Sequence, residues 1–187
     1  MQKKKQWKWK VLQTKHIFDS PHFNLKADSV ELPNGTKVDE YTIWQVPDGV
    51  VVIALTKERK VIFTRQYRHG TEEVLLQLPG GSYDKQRENP EIAATRELLE
   101  ETGYKATKLI FLGEVSMYPS KMTKQVSIYL AKDVEDTGEI EFDVTEDIEK
   151  VSYPLADVVK FIEEGKITDA ETITAIFLAV RYLKVVV

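Results

Sequence analysis

Cysteine is absent from the 187-residue chain, and histidine occurs only as His16, His22 and His69. Without thiols there is no disulfide framework, no thiolate zinc site and no cysteine nucleophile. The three histidines lack the i, i+4 spacing with which one helix offers two imidazoles to zinc. Long apolar runs are also missing: the longest, around Val50 to Leu55, falls far short of the roughly 20 residues that span a bilayer. No membrane segment is expected. Positive charge is not in excess either. A net charge of -4 argues against a surface built to neutralise a phosphodiester backbone, so no nucleic-acid partner is expected. Lys3 to Lys5 are followed by Gln6-Trp7-Lys8-Trp9-Lys10 rather than by an apolar stretch. They read as a solvated terminus rather than a signal peptide, and a cytoplasmic location is expected.

What is present fits one domain with a small extension. Three extended stretches, near Trp7 to Phe18, Phe23 to Glu31 and Lys37 to Gln45, predict an N-terminal antiparallel β subdomain over residues 1–47. Asn34-Gly35 between the last two is a hairpin signal, because a type I′ turn needs positive φ at both central residues. Over residues 48–187, β-branched runs at Val50 to Leu55, Val61 to Tyr67 and Val74 to Leu78 predict buried strands. Further strands are expected at Leu109 to Val115, Gln125 to Ala131 and Ile148 to Tyr153, and helices near Leu155 to Glu164 and Asp169 to Leu183. A central helix is signalled from Asn89 to Gly103: Asn89 as N-cap, Pro90 at the first helical position, Gly103 just past the end. The order predicts an α/β fold, a mixed sheet between helical layers.

That helix carries the chemistry. Glu97, Glu100 and Glu101 lie three and four residues apart and share an arc of roughly 100°. Ile92, Thr95, Leu98 and Leu99 are expected to form the stripe that packs on the sheet, with Ala93 and Ala94 flanking the acidic side. Taken alone, three glutamates on a helix read best as a solvated face. Leu78-Pro79-Gly80-Gly81 upstream changes the reading. Two glycines at a strand end permit a tight loop and close backbone approach, with a carbonyl available beside the carboxylates. Hard cations such as Mg²⁺ favour such oxygen donors.

Gly81, Glu88 and Arg96-Glu97-Leu98-Leu99-Glu100-Glu101-Thr102-Gly103-Tyr104 resemble the Nudix box, G-x5-E-x7-R-E-U-x-E-E-x-G-U, U being a bulky apolar residue. The one departure is in the loop, where six residues instead of five separate Gly81 from Glu88. The resemblance implies a Nudix fold, with Glu97 and Glu101 as direct ligands of Mg²⁺, or of Mn²⁺ in its place. It also implies that Glu100 and the Gly80 carbonyl complete that site, and that Glu88 and Arg96 pin the loop to the helix by a charge-assisted hydrogen bond. Such cations would neutralise and orient a diphosphate for attack by water, with no covalent intermediate.

Outside the box, V-V-I-A-L-T, R-Q-Y-R-H-G, Q-L-P-G-G and I-Y-L-A-K-D-V are similar to the ADP-ribose pyrophosphatase and nucleoside-diphosphate-sugar hydrolase branch, as is the placing of Pro119. The implied reaction is metal-dependent hydrolysis of ADP-ribose or a related nucleoside diphosphate sugar to a nucleoside monophosphate and a sugar phosphate. Arg65 and Arg68 are candidate phosphate clamps, Arg68 being the one that matches the branch's pattern. Tyr41 and Trp44 are candidates to stack a nucleobase, with core or interface packing as the rival reading. Pro119 could shape a loop over the sugar. For the general base, which should lie off the metal helix, Glu146 in the acidic stretch Asp143 to Glu149 resembles a catalytic glutamate of that branch, with Glu149, Asp147 and Glu100 as alternatives. Related hydrolases pair through the N-terminal region, and a symmetric homodimer is expected. Two other functions remain open: hydrolysis of dinucleoside polyphosphates or 5′-triphosphate RNA ends, and a non-catalytic module that senses ADP-ribose or another nucleotide.

Overall fold

A computed structural model describes residues 7–138 and 147–185. The chain divides into two units, Met1–Pro47 with Ser116–Lys124, and Asp48–Val115 with Gln125–Val187.

In the first unit β1 (Lys10–Asp19), β2 (Asn24–Glu31) and β3 (Lys37–Gln45) form an antiparallel sheet in that order. The central strand carries the buried positions, Ala27, Asp28 and Val30, whereas β1 is exposed along its whole length. Asp28 is held by Thr14 Oγ1 at 2.7 Å and Lys26 Nζ at 2.9 Å. The β2–β3 turn departs from the expected two-residue form. Gly35 has φ of 85°, but Asn34 does not enter the left-handed region, and the Leu32 N–H bonds to the Thr36 carbonyl around a three-residue loop. Pro33 explains this: lacking an N–H, it cannot close a two-residue hairpin against Thr36, and its fixed φ suits the first central position of the turn that the Gly35 N–H closes onto the Leu32 carbonyl.

The second unit is built on a mixed sheet of order β12-β5-β4-β10-β9, with β6 added to β5 and β7 to β4. Its strands are β4 (Asp48–Leu55), β5 (Lys60–Arg68), β6 (Glu73–Gln77), β7 (Gly80–Tyr83), β9 (Leu109–Ser116), β10 (Gln125–Lys132) and β12 (Ile148–Pro154). β10 runs parallel to β4, whereas β5 and β7 pair with it antiparallel. A small β8 (Tyr104–Lys105) and β11 (Glu135–Asp136) pair separately. β4 touches β5 only at Ala54 and Leu55; its first half pairs with β7, while the second half of β5 pairs with β6. The strands therefore diverge where Leu78 and Pro79 link β6 to β7.

Helices cover both faces. Val50, Val52 and Ala54 of β4 and Ile62 of β5 form one core with Ala93, Ala94 and Leu98 of α1 (Pro90–Thr102). Burying Leu98 alone contributes roughly 1.5–3 kcal/mol. Side chains alternate along a strand, so Val51, Ile53 and Phe63 point the other way, toward the side covered by α2 (Leu155–Glu163) and α3 (Ala170–Leu183). None of the described helices is long and apolar enough to cross a membrane.

Candidate active site

The caps of α1 follow the sequence. Asn89 accepts from the Ile92 N–H at 2.9 Å, Pro90 opens the helix, and Gly103 takes φ of 72° while its N–H bonds to the Leu99 carbonyl at 2.7 Å. The packing face does not follow. Ala93, Ala94, Glu97, Leu98, Glu101 and Thr102 are buried, whereas Ile92 is 57% exposed and Thr95 is exposed. The helix is rotated from the expected stripe because two alanines let its backbone approach β4 closely. That rotation turns Glu97 and Glu101 inward.

They meet the Pro79–Gly81 segment, whose backbone is fixed by three separate elements. The Leu78 N–H bonds to Thr172 Oγ1 of α3 at 3.0 Å, and the Pro79 carbonyl accepts from the Val52 N–H of β4 at 2.9 Å. The Gly80 N–H donates to Glu101 Oε2 at 3.0 Å. Gly80 and Gly81 are residues of β7, not of a tight loop, and neither has positive φ. What they provide is clearance. A Cβ on Gly80 would stand 2.2 Å from the Val50 carbonyl oxygen, and one on Gly81 would stand 2.3 Å from Glu97 Oε1. The Glu97 carboxylate thus lies on bare glycine backbone.

Arg96 ties the cluster together. Its Nε and Nη2 each reach Glu88 at 3.2 Å, and its Nη1 reaches Glu97 at 2.9 Å and Glu100 at 2.8 Å. The Glu88 bonds, then those from Glu100 and Glu97, outweigh burial and hold the guanidinium pKa well above its ordinary value. The extra residue after Gly81 is absorbed in a turn at residues 84–87. There Asp84 Oδ1 accepts from the Gln86 N–H and the Asp84 carbonyl from those of Arg87 and Glu88, so Glu88 still arrives at Arg96.

Among the described residues no three acidic or imidazole groups already converge as they would around a cation. Arg96 Nη1 instead stands between Glu97 and Glu100. The donor set nonetheless suits a hard divalent ion. Glu88, Glu97 and Glu100 bring three carboxylates to one guanidinium, Glu101 follows Glu97 by one helical turn and accepts from the Gly80 N–H, and Glu97 and Glu101 are only 8% and 4% exposed. Anionic oxygens crowded at that burial are stabilised by a cation.

The two arginines of β5 part company. Arg68 shares the strand face of Ile62 and Thr64, the α1 side, and its Nε donates to Gln77 Oε1 of β6 at 2.6 Å. Arg65 shares the face of Phe63. It reaches Glu149 at 2.8 Å and the Tyr153 hydroxyl at 3.2 Å, beside the Phe63, Tyr153 and Phe161 rings. An open cleft of about 600 Å³ lined by Arg65, Tyr67, Val74, Asp147 and Glu149 includes no residue of α1. Glu146 lies outside the described residues.

Tyr41, Trp44 and Pro119 all fall in the first unit, with residues 116–124 supplying the third of them. The Tyr41 ring is covered by Lys121 Nζ at 3.6 Å and met edge-on by Trp9 at 5.3 Å, and its hydroxyl bonds to the Ser120 carbonyl. Trp44 is 41% exposed and pairs with Tyr118, a residue that sequence reasoning missed. A tyrosine before a proline gives no local signal of a neighbour 74 positions away.

Known proteins resemble this chain over nearly its whole length. Residues 46–176 match the NUDIX domain, and residues 9–44 match the nucleoside diphosphate sugar hydrolase N-terminal domain. An ADP-ribose pyrophosphatase of Bacillus subtilis (strain 168) is 35% identical, over 89% of this chain and 90% of that protein. A methanol dehydrogenase activator of Bacillus methanolicus is 32% identical, over 94% and 92%. The crystal structure of an ADP compounds hydrolase superposes with a TM-score of 0.84 at 28% identity, covering 97% of each chain. The chain belongs to the Nudix hydrolase family, whose members are generally dependent on divalent metal.

Proposed function

We propose that this enzyme hydrolyses the diphosphate linkage of ADP-ribose or a related nucleoside diphosphate sugar, with Mg²⁺ as the working cation and Mn²⁺ as a substitute. The observation that carries the reading is the burial of Glu97 and Glu101 against Gly80 and Gly81, on the sheet face that also bears Arg68. The matched N-terminal domain and the relative named for ADP-ribose support the substrate class.

In this reading Glu97 and Glu101 hold the cation, with Glu100 and the Gly80 carbonyl completing its oxygen shell. The cation supplies charge neutralisation and a Lewis acid at the diphosphate. With its two bonds to Glu88, Arg96 would hold the loop to the helix, and Glu97 and Glu100 would be the carboxylates available to the ion. Arg68 clamps a phosphate oxygen, a role its persistent charge and planar donors suit. Water adds to one phosphorus, the bridging oxygen leaves with the other phosphate, and the water's proton passes to a base that we place on Glu146. Trp44 stacks the base and Pro119 shapes the sugar side. A homodimer is supported by β1, an edge strand exposing Val11, Leu12, Ile17 and Phe18. We place the protein in the cytoplasm.

The test is a substrate panel with product identification: ADP-ribose, GDP-mannose and UDP-glucose against diadenosine polyphosphates and 5′-triphosphate RNA. Release of a nucleoside monophosphate and a sugar phosphate is expected. Cleavage of the polyphosphates with the sugars untouched would overturn the substrate class, and tight ADP-ribose binding without turnover in Mg²⁺ or Mn²⁺ would make the protein a sensor. Sedimentation equilibrium showing a monomer at micromolar concentration would remove the dimer.

A further inference from the structure

Alternate residues of β5 share the α1 face, so Ile62, Thr64, Gln66 and Arg68 form one row with a spacing of about 7 Å. Ile62 packs in the core with Leu98. Thr64 is buried and its Oγ1 donates to the Gln77 carbonyl at 3.3 Å, while Arg68 is half-buried and donates to Gln77 Oε1 at 2.6 Å. Gln66 stands between them and is only 6% exposed. Its Oε1 is the one buried side-chain nitrogen or oxygen without a hydrogen-bond partner among the described residues. Across the sheet it faces Leu75 of β6 and Ile148 of β12, both apolar, so the oxygen belongs to no ionic cluster. A carbonyl oxygen taken out of water without a partner destabilises a fold, and an apolar side chain of the same length would carry no such cost. A group of that kind calls for a partner that the chain itself does not supply.

We infer that Gln66 is a ligand-binding residue of the active-site face: its Oε1 accepts a hydrogen bond from a neutral O–H group beside the diphosphate, either a hydroxyl of the attached sugar or the attacking water. Phosphate oxygens are acceptors themselves and cannot pair with it, and the apolar walls of Leu75 and Ile148 disfavour an ionic donor. A hydroxyl or a water is the neutral donor that a phosphate held by Arg68, one row spacing away, brings with it. The unpaired oxygen then destabilises the free enzyme and is satisfied in the complex. A ligand without the donor leaves it unpaired and is discriminated against. The inference rests on the hydrolase reading above and on the second unit alone.

The experiment compares wild type with Gln66→Met in two ways: calorimetric melting without ligand, and kcat/KM for ADP-ribose and for methyl-ADP, which carries the same diphosphate with a methyl group in place of the distal ribose. Methionine keeps the length of glutamine and removes its polar atoms. The melting temperature of the variant should stay level or rise by a few degrees, because no unpaired oxygen is buried. Its kcat/KM for ADP-ribose should fall by about tenfold or more, the scale of one lost hydrogen bond to the ligand. That loss is the test, and methyl-ADP locates the donor. A loss confined to ADP-ribose identifies the sugar hydroxyl, and an equal loss on both substrates identifies the water. Adenosine is common to the two substrates, so its contacts cancel in the comparison. A kcat/KM for ADP-ribose within twofold of wild type overturns the inference. So does a melting temperature that falls by several degrees, which would make Gln66 a structural link. Wild type that leaves ADP-ribose intact removes the hydrolase reading and this inference together, whereas an active wild type with a kinetically silent Gln66→Met removes this inference alone.

Discussion

Adding one methyl group to Gly81 should separate catalysis from folding. A Cβ there would stand 2.3 Å from Glu97 Oε1, 2.4 Å from Cδ and 2.7 Å from Oε2. An ordinary contact needs about 3.4 Å, so the carboxylate must retreat by roughly 1 Å, a misplacement that can lower a rate about 10²-fold. The displaced group ends a flexible side chain, so stability should change little. Gly80→Ala is the control: its Cβ would stand 2.2 Å from the Val50 carbonyl oxygen, and β4 backbone cannot yield as easily. Overpacking of that kind costs about 1–3 kcal/mol, a fall of several degrees in Tm for a chain of this size. The assay is ADP-ribose turnover at saturating metal, with calorimetric melting of both variants. A kcat/KM for Gly81→Ala within threefold of wild type, or a Tm that falls as far as that of Gly80→Ala, would refute the reasoning.

Other outcomes follow from the same geometry. Glu146→Gln should lower kcat by roughly two to four orders of magnitude with metal affinity nearly intact, and turnover within threefold of wild type would move the base to Glu100 or Glu149. Arg68→Ala should raise KM for ADP-ribose about tenfold or more, whereas Arg65→Ala, on the other sheet face, should change it less than threefold; equal losses would contradict the face assignment. For Asp28, burial raises the pKa, but the hydrogen bonds from Thr14 and Lys26 outweigh it and leave the group below its ordinary value. A carboxylate depressed on folding stabilises the fold above its unfolded pKa of about 3.9, and that contribution is lost as pH falls through the folded value. Asp28→Asn should therefore melt lower than wild type at pH 7, by a margin that narrows as pH falls below the unfolded value; a deficit independent of pH would place the effect in packing.

The sequence made the caps of α1, the spacing of its glutamates and most strands of the mixed sheet legible, because those signals are local. Asn89, Pro90 and Gly103 each act within one helical turn. The direction in which α1 faces was not legible. Apolar periodicity pointed to Ile92 and Leu99, whereas close approach through Ala93 and Ala94 decided it. β7, β8 and β11 are two to four residues long and depend on partners, so no periodicity marked them. Pro33 changed the turn that Asn34-Gly35 alone suggests. The choice between Arg65 and Arg68 needed the strand register, and the pairing of Tyr118 with Trp44 needed a contact across 74 positions.

The central claim is that Glu97 and Glu101 of α1 hold a divalent cation on which diphosphate hydrolysis depends. It is tested most directly by ADP-ribose turnover as a function of Mg²⁺ and Mn²⁺ concentration, in wild type and in Glu97→Gln and Glu101→Gln. Wild type should be inactive in chelator and activate saturably on adding metal, and each variant should need at least tenfold more metal and keep no more than about a hundredth of the turnover. Hydrolysis that persists in chelator, or variants that follow the wild-type metal curve, would contradict it.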